Sequence, residues 1–288
     1  MSTVYLNGEY LPADEAKVSV LDRGFVFADG VYEVIPSYGG HLLRLEQHLQ
    51  RLDNSLDGIR LANPLDRQQW GKVLEEIIER NCNNKEDLSI YLQVTRGVAK
   101  RDHVFPDEIN QTVFVMATPM PAVPAEQLEN GIAAITHDDI RWRYCHIKSI
   151  ALLPNTLMRQ VAHEAGAAEA ILYRDDQVTE GAASNLFIVL NGRILTPQKD
   201  ECLLPGITRD LVLEIASDNG LDCAEVDISL KMLHEAEEIW VTSSTKEILP
   251  VTQLDGESVG NGKPGAVWRV MLDHYQQYKD RLRDGSAS

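Results

Sequence analysis

The sequence predicts an α+β protein in two domains, with antiparallel or mixed sheets. Three observations predict it. Apolar strand-like runs meet at two-residue turns, Asn7-Gly8, Gly39-Gly40 and Asn191-Gly192, so neighbouring strands pair as hairpins. Amphipathic helical patterns come in separate blocks and do not follow each strand, which argues against a doubly wound parallel sheet. Between the halves, Pro119, Pro121 and Pro124 fall within six residues. Proline removes backbone donors and stiffens the chain, so 119–125 is predicted as an inter-domain linker. It separates a small N-terminal domain, 1–118, from a larger C-terminal domain, 126–288.

In chain order, Thr3 to Leu6 and Glu9 to Leu11 flank the first turn, and Val31 to Tyr38 and His41 to Leu43 the second. Leu45, Leu49, Leu52, Leu56 and Ile59 recur at steps of four and three, one apolar stripe of a helix. A second helix covers Gln68 to Asn81, with Trp70, Val73, Leu74, Ile77 and Ile78 inward. Leu88 to Thr95 and Thr112 to Ala117 are strands, and Ile132 to Thr136 opens the second half. Helices are predicted over Asn155 to Ala165, stopped by Gly166, and Arg209 to Asn219, stopped by Gly220. Glu169 to Tyr173, Asn185 to Leu190, Arg193 to Thr196 and Ile239 to Ser243 are strands, and Val267 to Leu282 a closing helix.

At roughly 150 residues per domain, 288 residues make two domains or one large one. Apolar content of 44% excludes a mainly disordered chain. A net charge of −17 disfavours nucleic acid and anionic membrane surfaces as partners, yet leaves room for one anion in a local basic pocket. No run approaches the ~18–20 apolar residues of a membrane span. Met1 to Leu11 lacks the basic and apolar blocks of a signal peptide. Cys82, Cys145, Cys202 and Cys223 are far apart and form no CxxC, so neither a disulfide framework nor a zinc or other metal site is expected, and the cytoplasm is the expected compartment.

Several residues stand out chemically. Lys148 lies in the apolar stretch His146 to Leu153. Lost hydration there favours a neutral amine, which can attack an aldehyde; a snorkelling lysine at a sheet edge is the ordinary alternative. Glu180 stands before the apolar strand Leu186 to Leu190, placed to pair with a protonated ring nitrogen or simply to face water. Leu204-Pro205-Gly206-Ile207-Thr208-Arg209 opens a helix. With Thr208 as N-cap, its free N–H groups make an anion site, or just a capped helix. Ser243-Ser244-Thr245 ends a strand with more donors. Arg51 sits off the leucine stripe of its helix, either solvated or clamping a phosphate. In Thr95 to His103, a basic loop in an acidic chain, Arg101 and His103 alternate and would project to one side of an extended segment. That arrangement suits gripping a carboxylate; a solvated basic loop is the ordinary alternative.

In order along the chain, these pieces resemble the fold-type IV pyridoxal-phosphate transaminases, and within them the bacterial D-amino acid (D-alanine) transaminases. The resemblance rests on Asp22-Arg23-Gly24, Gly30-Val31-Tyr32-Glu33, His48 with Arg51-Leu52, Gln93 to Gly97, Asp139 to Trp142, Ile147-Lys148-Ser149, Thr179-Glu180-Gly181 with Ser184-Asn185, and Gly206 to Arg209. It implies a small N-terminal α/β domain and a larger C-terminal domain with a mixed sheet or pseudo-barrel. The implied cofactor is pyridoxal 5′-phosphate, bound through Lys148, which also shuttles the proton. Glu180 is implied at the ring nitrogen, Leu204 against the ring, and Arg51, Ile207, Thr208, Ser244 and Thr245 around the phosphate. Tyr32, Arg101 and His103 are implied as the substrate grip, with the loop serving the other subunit of a homodimer.

The implied activity is a ping-pong, Schiff-base transfer of the amino group of D-alanine or D-glutamate type donors to 2-oxo acids. An (R)-selective amine transaminase, a branched-chain L-amino acid transaminase, an aminodeoxychorismate lyase and a non-catalytic phosphometabolite-binding protein are the competing readings. The sequence departs from the family pattern at Pro154, where relatives have glycine, and at Ala182 and Ala183, where they have hydroxyl residues.

Overall fold

The computed structural model describes residues 2–82 and 86–286. The chain divides into two compact units: Met1–Pro121 with Ile147–Ala151 and Arg281–Ser288, and Ala122–His146 with Leu152–Asp280.

The first unit comprises β1 (Thr3–Leu6), β2 (Glu9–Pro12), α1 (Arg23–Phe27), β3 (Gly30–Tyr38), β4 (His41–Leu42), α2 (Leu45–Gly58), α3 (Arg67–Asn81), β5 (Leu88–Thr95) and β6 (Thr112–Pro119). Its six strands form an antiparallel sheet in the order β2-β1-β6-β5-β3-β4. Asn7 and Gly8 both take positive φ, as the first hairpin turn requires. Strand alternation sends Val31, Ile35, Ile90, Leu92, Val94 and Val115 into one core with Leu49, Leu52 and Leu56 of α2. The helix α3 buries the five residues its periodicity predicts, behind an Asp66–Gln69 capping box. The helix α1, capped by Asp22 and ended by Ala28 at φ 55, was not legible in the pattern.

The second unit comprises α4 (Ala125–Asn130), β7 (Ile132–Asp138), α5 (Leu153–Glu164), β8 (Glu169–Arg174), β9 (Gln177–Gly181), β10 (Asn185–Leu190), β11 (Arg193–Pro197), α6 (Ile207–Asp218), β12 (Cys223–Val226), α7 (Leu230–His234), β13 (Glu238–Ser243), β14 (Glu247–Leu254), β15 (Glu257–Ser258) and α8 (Ala266–Arg283), whose residues to Asp280 belong to it. The nine-stranded sheet runs β12-β11-β10-β13-β14-β7-β8-β9, with β15 beside β14. It is mixed: β11–β12, β14–β7 and β7–β8 pair in parallel, and the others antiparallel.

This sheet curls. Five strand steps separate β9 from β10 in that order, ~24 Å across a flat sheet. Only Ala182, Ala183 and Ser184 join them in sequence, a reach of ~15 Å at most. The turn between them is closed by Gly181 N donating to Ser184 O at 2.6 Å.

Pro154 falls at the start of α5, where a missing N–H leaves no intrahelical bond unmade, so this departure is compatible with the helix. The helix α6 begins two residues earlier than the sequence predicts. Gly206 is its N-cap, so Thr208 is not the cap but lies in the first turn. Among the described residues no helix is long and apolar enough to cross a membrane.

Candidate active site

In the first unit, β3 sends Tyr32 and Glu33 to opposite faces. On one face Tyr32 stacks on Tyr91, ring centroids 5.6 Å apart, and the Lys148 Nζ lies 4.2 Å from the Tyr32 ring centroid. Lys148 is tied by its backbone on both sides. Its N–H donates to Ser55 Oγ at 3.1 Å, and its carbonyl accepts from Tyr32 N at 3.0 Å. Ile150 N donates to Gly30 O, and Ser149 bridges to Val31. Lys148 is half-buried, less enclosed than the apolar stretch around it implies.

On the opposite face, Glu33 is fully buried under α2. Arg51 Nε and Nη2 each donate to a different Glu33 oxygen at 2.7 Å, and His48 Nδ1 lies 2.8 Å from Oε2. Arg51 is therefore not solvated: the face of α2 is wider than its leucine stripe, and His48, Arg51 and Ser55 are buried beside it. Burial alone would raise the Glu33 carboxyl, but the charge and hydrogen bonds of Arg51 overcome it and hold the group at about 2. An ionised carboxylate only accepts, so His48 Nδ1 carries the proton. Burial keeps that imidazole below its usual range despite Glu33, and His48 Nε2 is buried without a partner.

This arrangement carries a pH prediction. A carboxyl lowered from 4.5 to about 2 by folding contributes stability that is full above about pH 4.5 and lost as pH falls through 2. The size is about 3 kcal/mol. Urea unfolding of the parent and of Glu33→Gln should show a gap that shrinks on acidification through that window. A gap independent of pH would contradict the assignment.

The basic loop after β5 is exposed. Arg101 and His103 both lie against Phe27, with the Arg101 guanidinium carbon 5.4 Å and the His103 ring 5.2 Å from its centroid. Of the three residues implied to grip the substrate, the structure thus groups Arg101 with His103 on Phe27, and Tyr32 with Tyr91 and Lys148.

In the second unit, Glu180 is buried at the end of β9. One carboxylate oxygen is paired with Arg141 Nη1. The other accepts from Asn185 Nδ2 at 3.0 Å and from Leu204 N at 3.1 Å. Arg141 is itself held by Asp139, through Nε to Oδ1 at 2.9 Å and Nη2 to Oδ2 at 2.8 Å. Burial would raise Asp139, but Arg141 holds it below the usual range. For Glu180 the balance goes the other way: burial outweighs the pull of Arg141 and raises the carboxyl.

Asn185 also donates to Leu204 O at 2.8 Å, which fixes the segment leading into α6. There Gly206 is obligatory, because a Cβ would overlap Asn185 Oδ1. No side chain caps α6, and Thr208 Oγ1 is buried without a hydrogen-bond partner. Ile207 is buried beside it. Ser244 and Thr245 lie in the β13–β14 turn, half-buried and exposed respectively. Ala182 is buried and Ala183 exposed. Ser184 reaches Glu169 Oε2 at 2.9 Å, a carboxylate that Lys246 Nζ approaches to 3.7 Å.

The family model described as amino-transferase class IV matches residues 30–254. The chain belongs to the class IV aminotransferases. It is 39% identical over 279 residues to a D-alanine aminotransferase of Staphylococcus haemolyticus, an alignment that spans 96% of this chain and 98% of the relative. Among solved structures, a branched-chain amino acid aminotransferase of Escherichia coli matches with a TM-score of 0.91 at 27% identity, over 100% of this chain and 96% of that one. The T.th. branched-chain enzyme solved with pyridoxamine 5′-phosphate matches with a TM-score of 0.91 at 28% identity, over 99% and 96%.

As this family requires, the mixed α/β architecture with a curled sheet is that of fold type IV. Sequence reasoning gave no role to Glu33, Arg141, Asp139 or Asn185, although all four lie in motifs it singled out. A signal existed for Glu33. It shares strand parity with Val31 and Ile35, and a charge on a core-facing position needs a buried partner.

Proposed function

We propose that the chain is a pyridoxal-phosphate-dependent transaminase that moves the amino group of D-alanine or D-glutamate type donors to 2-oxo acids such as pyruvate or 2-oxoglutarate. The observation that carries the substrate class is the 39% identity, across nearly the whole of both chains, to a D-alanine aminotransferase. The solved branched-chain enzymes favour a second reading, an L-branched-chain transaminase, at lower identity. An (R)-selective amine transaminase is the third. A donor panel of D-alanine, L-leucine and (R)-1-phenylethylamine with both acceptors separates them. D-Alanine should be preferred, and equal or faster turnover of L-leucine would overturn the reading.

The residues present fit the cofactor. Thr208 Oγ1 is an orphaned buried hydroxyl in the uncapped first turn of α6, a place suited to phosphate oxygens. Glu180 is a buried carboxylate whose ionised form burial disfavours, a place suited to a protonated ring nitrogen. Pyridoxal phosphate, when bound, supplies an electron sink that weakens the bonds at the substrate Cα.

The chain's own residues do the rest. Lys148 Nζ would anchor the cofactor aldehyde and, once the donor amine displaces it, would carry the proton from the donor Cα to the cofactor's aldehyde carbon. Glu180 keeps the proton on the ring nitrogen, and Asn185 and Arg141 fix its orientation. Leu204 packs against the ring. Ile207, Thr208, Ser244 and Thr245 take the phosphate, with Arg51, whose charge Glu33 already matches, contributing direction. Arg101 and His103 grip the substrate carboxylate, with Tyr32 as a third contact.

The protein acts as a homodimer in which the Arg101–His103 loop serves the other subunit. In the first unit Leu21, Phe25, Val98, Val104 and Phe105 are exposed on the segments around that loop, more apolar surface than isolated side chains account for. Leu21 and Val98 lie on neighbouring segments, joined through Ala99 N to Leu21 O and the Asp22–Val98 bridge. A buried charge at Phe25, which is 77% exposed, should convert dimer to monomer without unfolding. Light scattering of Phe25→Asp reads this directly, and an unchanged mass would place the interface elsewhere. Four free thiols fit a cytoplasmic setting.

A further inference from the structure

The loop that carries Arg101 and His103 is anchored by buried charges that the reaction itself does not use. Two arginines beneath it, Arg23 and Arg96, have side chains only 4% and 0% exposed. Both donate through Nε to the same oxygen, Asp29 Oδ2, each at 2.8 Å. From that shared anchor the two guanidinium groups reach the loop between the two grip residues and just after the second. Arg23 Nη1 donates to Asp102 O at 2.6 Å and lies 3.4 Å from Val104 O. The Arg96 guanidinium carbon stacks 3.7 Å from the centroid of Phe105, and its other nitrogens donate to Ile59 O and Arg60 O. Arg23 also lies 4.8 Å from the ring of Phe27, on which Arg101 and His103 rest.

Burying two guanidinium groups on one carboxylate is costly, and apolar residues would fill the same space with less desolvation. What the arrangement supplies is direction. An exposed loop with little apolar contact would otherwise sample many conformations. Here the backbone is held at Asp102, between Arg101 and His103, and the chain again at Phe105, so the peptide that joins the two grip residues is fixed. The base of the loop is closed independently. Gly97 at φ 83 packs against Asn110, where any Cβ would overlap the Asn110 carbonyl.

We propose that Asp29, by clamping Arg23 and Arg96 together, is the positioning residue that sets the geometry of Arg101 and His103 and thereby tunes the enzyme for carboxylate-bearing donors. The inference rests on the reading that this loop grips the substrate carboxylate. Asp29→Asn keeps the shape of the side chain but removes the charge that two guanidinium groups share.

The experiment compares the parent, Asp29→Asn and Arg101→Ala as holoenzymes. It measures KM and kcat for D-alanine, together with hydrogen–deuterium exchange of the backbone amides of 101–105. Asp29→Asn should raise KM about tenfold or more, with a smaller change in kcat, and speed exchange in the loop. A merely structural loss would lower the active fraction, hence kcat, and leave KM alone. If Arg101→Ala raises KM while Asp29→Asn changes neither KM nor loop exchange, the clamp is refuted and the grip stands. If Arg101→Ala leaves KM unchanged, the grip reading falls and the role of the clamp falls with it. Should Asp29→Asn fail to fold, Arg23→Lys, which keeps the charge but cannot hold both Asp29 and Asp102 O, decides by the same two measurements.

Discussion

Lys148→Ala is expected to lower transamination by on the order of 10⁴-fold or more, with almost no change in folding. The rate argument follows from the two duties proposed for one amine. A positioned general acid–base alone is worth about 10²–10⁴-fold, and loss of the covalent attachment adds to it. The folding argument follows from how residue 148 is held. Its fixed contacts are made by the backbone, to Ser55 Oγ and to Tyr32 N, and alanine keeps both. The side chain is half-buried, and its contact with the Tyr32 ring is worth about 0.5–1 kcal/mol, which moves a thermal midpoint by only a few degrees. Two measurements check the claim together. A coupled assay with D-alanine and 2-oxoglutarate reads the rate. Borohydride treatment of the parent should fix the cofactor on the peptide that contains residue 148, and leave the variant unlabelled. Turnover retained by a folded variant would remove Lys148 from the chemistry.

Much of the fold is legible because its signals are local. A hairpin such as β1–β2 is fixed by its own turn, and α3 by a 3.6-residue period and a capping box within one segment. What was not legible depends on distant partners or on exact backbone angles. The strand β14 contains Pro250, which argues against an inner strand. It is tolerated because the β7 ladder begins only at Val251, so at Pro250 the strand has its β13 neighbour alone. The parallel pairs β7–β8 and β14–β7 join residues far apart in sequence, and no turn announces them. Choosing Gly206 over Thr208 as the N-cap of α6 needs the φ and ψ of both.

The site divides along the same line. Lys148, Glu180 and Thr208 are conspicuous as residue types in motifs. Their supports, Asn185 and Arg141 for Glu180 and Glu33 for Arg51, act through side-chain bonds spanning 5, 39 and 18 residues, which no local pattern encodes.

Glu180→Gln is the sharper test of the cofactor's electronic partner, because the change is isosteric and the environment reads it as a change of hydrogen-bond sign. Every neighbour of Glu180 is a donor: Arg141 on one oxygen, Asn185 Nδ2 and Leu204 N on the other. A carboxylate accepts on both sides, whereas an amide accepts on one and must turn its NH₂ toward either Arg141 or the Asn185–Leu204 pair. One buried donor–donor conflict should cost about 1–3 kcal/mol in the absence of cofactor. Charge adds a second consequence, with a sign opposite to that of Glu33. Because burial raises the Glu180 carboxyl, its ionisation is unfavourable in the folded chain, a cost that appears as pH rises from 4.5 through the raised value. If the protonated ring nitrogen binds beside it, as proposed, it would relieve that cost, and adding pyridoxal phosphate should raise the melting temperature of the parent more than that of the variant. Without the carboxylate the ring proton is held less firmly, and kcat should fall by on the order of 10²-fold. An equal cofactor-induced shift in both proteins, with kcat unchanged, would mean that the ring nitrogen finds its partner elsewhere and that Glu180 serves only to join Arg141 to Asn185.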